Sequence, residues 1–163
     1  MKTKLSILVI LLTLPFFVFC QSKKEAKKNK IKSATVWKAT TDNGTAVSIK
    51  ESYEEYDNNG NTIFKIDYKK DGSIKTKTTL KYDKYQNKIE EEESNLKENT
   101  IIKRVFKYNA NNDKTEEYEY DSTGKLLKKS IYSYDLKGLK TSKQTFNESN
   151  VIESLKKWAY EYY

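Results

Sequence analysis

The sequence lacks most of the side chains that carry out covalent chemistry in proteins. It has no histidine, and its only cysteine is Cys20. Ser-His and Cys-His nucleophilic pairs therefore cannot form within this chain, and the commonest zinc ligand is missing. These features favour a protein that is not an enzyme and that uses no cofactor and no metal ion.

Clustered carboxylates are the main candidates for acid-base chemistry. Four glutamates follow one another from Glu90 to Glu93, and a second group contains Glu116, Glu117 and Glu119. A glycosidase needs two carboxyl groups that face each other across a cleft. Lysines alternate with acidic residues along much of this chain, which favours ion pairs between strands over a catalytic pair.

One loop has oxygen-bearing side chains at alternate positions, as calcium-binding loops do. These are Asp57, Asn59 and Asn61. No acidic residue closes this loop as an EF-hand requires. We therefore interpret the three residues as parts of a turn, since Asp and Asn side chains accept hydrogen bonds from turn amides.

The strongest pattern is a 26-residue repeat marked by aromatic residues. A first series, each member 26 residues after the last, contains Tyr56, Tyr82, Tyr108, Tyr134 and Tyr160. A second series with the same spacing contains Tyr68, Ser94, Tyr120 and Phe146. The two series interleave with gaps of 12 and 14 residues, so each repeat is predicted to hold two strands.

A turn residue follows most members of both series by four positions. Glycine stands there at Gly60, Gly72, Gly124 and Gly138, asparagine replaces it at Asn112 and Asn150, and Gln86 and Glu98 depart from the pattern. Glycine, and less readily asparagine, accepts a positive φ. Asp directly after the tyrosine and Gly three residues later predict a type I turn closed by a left-handed residue.

Between the turns, apolar and polar residues alternate. Ile74, Leu80 and Tyr82, for example, share one parity, while lysines occupy much of the other. This pattern predicts an all-β antiparallel meander of eight to ten strands in one curled sheet, either an open half-pipe or a closed barrel. Because the gaps are even, we expect one aromatic face. We also expect an irregular hairpin around residues 90–94 and a last strand that contains Tyr160.

The N-terminus has the features of an export signal. Lysines precede an apolar stretch, so residues 1–20 are predicted to be a signal peptide. Cleavage after Cys20 gives soluble export. Alternatively, Cys20 is a lipidated first residue, but Phe19 departs from the small residue typical of that site. The expected locations are the periplasm, the medium or the outer cell surface, with the lipid anchor less favoured.

A basic segment separates the signal from the repeats. Residues 21–32 contain six lysines and one glutamate. We predict a flexible linker over residues 21–33, which could contact an anionic surface electrostatically, followed by a repeat domain over residues 34–163. The domain has no basic bias, so no nucleic acid partner is expected. The sequence after the signal is too polar for a transmembrane helix.

The repeat resembles the YD repeat of Rhs-type bacterial cell-surface and secreted proteins. The clearest copies begin at Tyr56-Asp57, Tyr120-Asp121 and Tyr134-Asp135, each with glycine three residues after the aspartate. The resemblance covers about residues 53–163 and implies export, a sheet built of hairpins and a surface role. This chain is too short to enclose a toxin, so encapsulation is not implied.

The aromatic residues carry the functional hypothesis. We expect most of them to form the core, with part of the aromatic face open for binding at Tyr118, Tyr132, Trp158 and Tyr162. The expected function is an exported, non-enzymatic envelope or secreted module that binds carbohydrate or an envelope protein. The alternatives are a structural or assembly protein without a ligand, and a β-barrel around a small apolar ligand.

Overall fold

The computed structural model describes residues 23–42 and 45–163, which form one short helix and one sheet. The elements are α1 (Lys23–Lys28), β1 (Ser33–Asp42), β2 (Thr45–Tyr56), β3 (Thr62–Tyr68), β4 (Ile74–Tyr82), β5 (Lys88–Asn95), β6 (Thr100–Tyr108), β7 (Lys114–Tyr120), β8 (Leu126–Tyr134), β9 (Lys140–Asn147) and β10 (Ile152–Lys157). Neighbouring strands pair antiparallel in chain order. The all-β meander is confirmed, as a curled sheet that stays open between β1 and β10.

The turns have the predicted geometry. After β2, the amide of Gly60 donates to the carbonyl of Asp57, and the Asp57 carboxylate accepts the amides of Asn59 and Asn61. Gly60 has a φ of 76°. The same left-handed conformation recurs at the matching position of six other turns, at Gly72, Gln86, Asn112, Gly124, Gly138 and Asn150. The acidic loop at Asp57 is thus a turn held by its own side chain.

A β-bulge directly after most turns decides which residues share a face. In the β2–β3 hairpin, Glu55 pairs with Phe64 but Tyr56 pairs with Thr62, so Ile63 is an extra residue. The same shift occurs in the hairpins β3–β4, β4–β5, β6–β7, β7–β8, β8–β9 and β9–β10. Since side chains alternate with period two, one extra residue moves the rest of the strand to the other face.

The bulges place the two aromatic series on opposite faces. What we call face A carries Tyr56, Tyr82, Phe106, Tyr108, Tyr132 and Tyr134, and face B carries Tyr68, Tyr118, Tyr120 and Phe146. The expectation of a single aromatic face was therefore wrong. The prediction failed because it was based on even spacing along the chain, which treats the extra bulge residue of each hairpin as if it were paired.

The sheet is a single layer, so it has little conventional core. Among the described residues, the only buried apolar ones are Ala26, Tyr56, Phe106 and Tyr132, and the last three lie on face A. Most other strand residues are half-buried. The sheet must therefore draw much of its stability from contacts between side chains on adjacent strands.

The predicted flexible linker contains a helix that packs on the sheet. Lysine and alanine favour helix, and Ala26 in α1 is 1% exposed. A Cβ atom added to Gly60 would lie 2.3 Å from the carbonyl oxygen of Lys23, so the helix directly contacts the first turn. The amide of Tyr56 also donates to the carbonyl of Lys32. The expectation of flexibility is thus corrected for residues 23–33. The predicted signal peptide and Cys20 lie outside the described residues.

Two local expectations had different outcomes. The hairpin β5–β6 departs from the repeat near residues 90–94, as predicted: it lacks the bulge of most other hairpins, and Asn99 rather than Glu98 is left-handed. The pairing of residues 90–95 with β6 has no shift. Basic side chains from the two neighbouring strands form ion pairs with Glu90 and Glu91. The last strand is confirmed as a strand but ends at Lys157, so Tyr160 lies beyond it.

Candidate functional site

Four of the five tyrosines of the first aromatic series share a structural role. The hydroxyl of Tyr108 donates to the carbonyl oxygen of Lys88, twenty residues earlier, over 2.8 Å. The same bond joins Tyr82 to Thr62, Tyr134 to Lys114 and Tyr160 to Lys140. Tyr82, Tyr108 and Tyr134 therefore tie the end of one strand to the start of the strand before it, and Tyr160, beyond β10, is tied to the start of β9. This explains why the repeat keeps tyrosine at this position.

A ladder of lysines and aromatic rings runs across face A. It contains, in order, Lys88, Phe106, Lys114, Tyr132, Lys140 and Trp158. Each ammonium lies 4.7 to 5.4 Å from the centroid of each ring that it contacts, within the range of cation-π attraction. The ladder lysines are 26 residues apart, as are the rings. We call this set the cation-aromatic ladder.

Glutamates neutralise the inner part of the ladder. Lys114 forms an ion pair with Glu117 at 2.7 Å, and the Tyr132 hydroxyl donates to the same carboxylate at 2.7 Å. Burial alone would raise the pKa of Glu117, but these two hydrogen bonds lower it below its usual value. Burial, and then the bond to Glu117, raise the pKa of the Tyr132 phenol. The inner ladder is thus a closed network with little open aromatic surface.

The ladder becomes exposed at its C-terminal end. Phe106 and Tyr132 are 7% and 8% exposed, whereas Trp158, Tyr160 and Tyr162 are 38%, 41% and 64% exposed. The Lys140 ammonium lies over Trp158, and that of Lys137 lies 4.3 Å from the Tyr162 ring centroid. We call Trp158, Tyr160 and Tyr162 the C-terminal aromatic cluster. Its rings have surface available for a ligand and cations close by.

The four predicted binding residues do not form one site. Tyr132 and Trp158 are linked through Lys140, but Tyr132 is buried. Tyr118 lies on face B, where it stacks on Tyr120 with ring centroids 6.3 Å apart. Tyr162 lies beside the turn that contains Lys137. Of the four, only Trp158 and Tyr162 are exposed, and they lie four residues apart in the segment after β10.

Five of the seven glutamates considered for catalysis form ion pairs, namely Glu90, Glu91, Glu116, Glu117 and Glu119. Glu90 bridges Lys81 and Lys103 at 2.7 and 2.9 Å. Arg104 bridges Glu91 and Glu119 at 2.8 and 3.0 Å. Hydrogen bonds to Lys81 and Lys103 lower the pKa of Glu90. The predicted cross-strand ion pairs are thus present at Glu90, Glu91, Glu116 and Glu119.

The sequence interpretation missed the lysines of the ladder and placed Phe106 only in a general core. A signal was present, because Lys88, Lys114 and Lys140 repeat at 26, as do Phe106, Tyr132 and Trp158. Those positions combine different aromatic types, so a search based on tyrosine passes over them. Comparing all residue types at each repeat position would have found the ladder.

No family model matches this chain, and no curated protein has significant sequence similarity to it. Across residues 23–42 and 45–163, no helix has the length and apolar character needed to cross a bilayer.

Proposed function

We propose that this protein is an exported, non-enzymatic repeat module that binds carbohydrate through its C-terminal aromatic cluster. The observation that carries the proposal is the change in exposure between the inner rings of face A and the segment after β10. Inner rings are covered, whereas Trp158, Tyr160 and Tyr162 are 38% to 64% exposed. The apolar faces of sugar rings stack on exposed aromatic rings, and nearby lysines supply hydrogen-bond donors for hydroxyl groups.

The location follows from the sequence features of residues 1–20, which are typical of a signal peptide. The resemblance to YD-repeat proteins supports the same environment. In the periplasm, the medium or the outer surface, the protein would meet envelope and extracellular polysaccharides, which are suitable ligands for an open aromatic cluster.

The experiment compares two matched double variants of the mature chain on a glycan array, followed by calorimetry with any neutral glycan that binds. W158A/Y162A removes two exposed rings of the cluster. W37A/Y85A removes a tryptophan and a tyrosine that are similarly exposed elsewhere, at 58% and 62%. We expect the first variant to weaken binding by about tenfold or more and the second to leave it unchanged. Absence of binding by the parent protein, or equal loss in both variants, would refute the proposal.

A second candidate, a structural or assembly protein, is favoured by the free edge of β1. This strand has ten residues, and Trp37 within it is 58% exposed. Long edge strands with few charges can pair with another chain. Sedimentation over a range of protein concentrations tests this candidate. The parent protein should associate reversibly, and W37K should abolish this association.

We do not propose a small apolar ligand, because that function needs a closed barrel and this sheet is open.

A further inference from the structure

The first hairpin extends beyond the rest of the sheet. β2 pairs with β3 only from Ser52 to Tyr56, while its earlier residues pair with β1 alone. Trp37 pairs with Lys50, and Val36 with Ser52, so Glu51 forms a bulge at the base of this extension. We call residues 37–42 and 45–50 the ribbon. A bulge bends and twists the strand that contains it, which redirects the ribbon.

A cleft of about 510 Å³ lies between the ribbon and the turn after β3. Four lysines from three segments line it, namely Lys38, Lys50, Lys69 and Lys70. Glu51 is the only acidic residue among its described lining residues. The volume lies within the range of about 300–1,000 Å³ for small-molecule sites.

The lysines of the cleft differ in their contacts from those of the cation-aromatic ladder. Among the ion pairs within 4.0 Å that the described residues form, none involves Lys38, Lys69 or Lys70. Asp71 is close to Lys69 in sequence, but its carboxylate accepts hydrogen bonds from Ser73. The cleft therefore concentrates positive charge that nearby carboxylates only partly offset.

The cleft also has an apolar part. Tyr68, Val47 and Ile49 contribute to its lining. The Lys50 ammonium lies 4.6 Å from the centroid of the Tyr68 ring, so an aromatic surface and a cation adjoin within the cleft. A ligand suited to this surface combines an apolar ring face with an anionic substituent.

We propose that the cleft beneath the ribbon binds an acidic sugar of the uronate type. Its carboxylate would contact Lys69 and Lys70, and its ring would lie against Tyr68 and Ile49. The charge balance of four lysines to one glutamate attracts an anion, and the apolar lining favours a sugar ring over a small inorganic ion. This site shares no residue with the C-terminal aromatic cluster, so it does not depend on the function proposed for that cluster.

The test measures binding of an oligogalacturonate to the mature chain by calorimetry. K69E/K70E reverses two charges of the cleft, and K84E/K97E makes the same change in net charge at exposed turns elsewhere. We expect K69E/K70E to weaken binding by roughly tenfold to a hundredfold, while K84E/K97E changes it less than about twofold. The methyl ester of the same oligomer, which lacks the carboxylate charge, should not bind. K38Q, on the opposite wall, replaces K69E/K70E if that variant does not fold.

Three outcomes of these measurements would overturn the inference, and a fourth comes from W158A/Y162A. The three are no binding of oligogalacturonate, equal weakening in the two charge-reversal variants, and undiminished binding of the methyl ester. W158A/Y162A separates the two sites, because it should leave oligogalacturonate binding intact. Loss of binding in that variant would assign the uronate to the C-terminal aromatic cluster and overturn the cleft, without contradicting carbohydrate binding at the cluster.

Discussion

The ribbon and the cation-aromatic ladder use the same kinds of side chain with opposite results. In the ladder, Lys114 lies between Phe106 and Tyr132 and forms an ion pair with Glu117. In the ribbon, Trp37 is 58% exposed, and neither Lys38 nor Lys50 takes part in any ion pair found among the described residues. The ladder strands have neighbours on both sides, whereas the ribbon has only two strands.

This difference indicates where binding surface can exist on a single-layer sheet. In the inner strands of the sheet, each side chain has partners on both adjacent strands. Aromatic and charged groups there contact other side chains and are not available to a ligand. At the two ends one neighbour is missing. End units of repeat proteins are atypical for this reason. Both proposed sites, the cleft and the C-terminal aromatic cluster, lie at such ends.

The largest expected contrast is between Phe106 and Trp37. Phe106 is 7% exposed and contacts two lysines, so F106A should destabilise the fold by about 3 kcal/mol. Trp37 is largely exposed, and W37A should change stability by no more than about 0.5 kcal/mol. Urea denaturation followed by circular dichroism measures both. Comparable losses would show that the ribbon contributes to the fold as the ladder does.

The next contrast compares two glycines with the same left-handed backbone. Alanine at Gly124 has open space, so G124A should cost about 1 kcal/mol through φ alone. Alanine at Gly60 would also clash with the carbonyl of Lys23, so G60A should cost about 2 kcal/mol or more by displacing α1. Amide exchange at Ile31 and Tyr56 reports on the docking of α1. Unchanged exchange in G60A would contradict the packing of α1 on this turn.

Much of the fold could be predicted because its determinants are local. Asp57 and Gly60 specify a turn by their own conformational preferences, and the 26-residue spacing predicts how many hairpins the chain forms. The bulges could not be predicted in this way. Ile63 is an ordinary strand residue by type, and only its lack of a partner on β2 identifies it as extra. An extra residue of this kind in most hairpins places the two aromatic series on opposite faces of the sheet.

The candidate sites were predicted less well than the fold. Trp158 and Tyr162 were identified as exposed aromatics, but Tyr132 was not distinguished from them, since its burial depends on Lys114, Lys140 and Lys143 from neighbouring strands. The cleft was not predicted at all. It results from the excess length of β2 over β3, which becomes visible only when the register of the pair is known.

The charged network of the central strands gives the third contrast. Arg104 is 26% exposed and bridges two carboxylates, so R104A should cost about 2 kcal/mol near neutral pH. Lys125 is 61% exposed and pairs with Glu148 at the surface, so K125A should cost less than about 0.5 kcal/mol. Denaturant titrations at several pH values measure both variants.

The pH dependence sharpens this contrast. Burial opposes ionisation of Glu91, but its bonds to Lys88 and Arg104 lower its folded-state pKa below the unfolded value of about 4.3. A lowered folded pKa adds stability above the unfolded pKa, and this stability is lost as the pH falls through the folded pKa. The effect of R104A should therefore shrink below about pH 4. An effect that is independent of pH would show that Arg104 acts through packing alone.

The smallest contrast concerns the repeated tyrosine hydroxyl. In Y108F, the half-buried carbonyl of Lys88 loses its donor, at an expected cost of about 1 kcal/mol. Y160F removes the same bond at the exposed end of the array, where water can replace the hydroxyl, so about half that cost is expected. Urea denaturation curves of the two variants measure this difference in the free energy of unfolding, provided that the error between replicates is smaller than the difference. Equal losses in the two variants would show that Tyr160 is as well shielded from water as Tyr108. The C-terminal aromatic cluster would then have less free surface than the carbohydrate proposal requires.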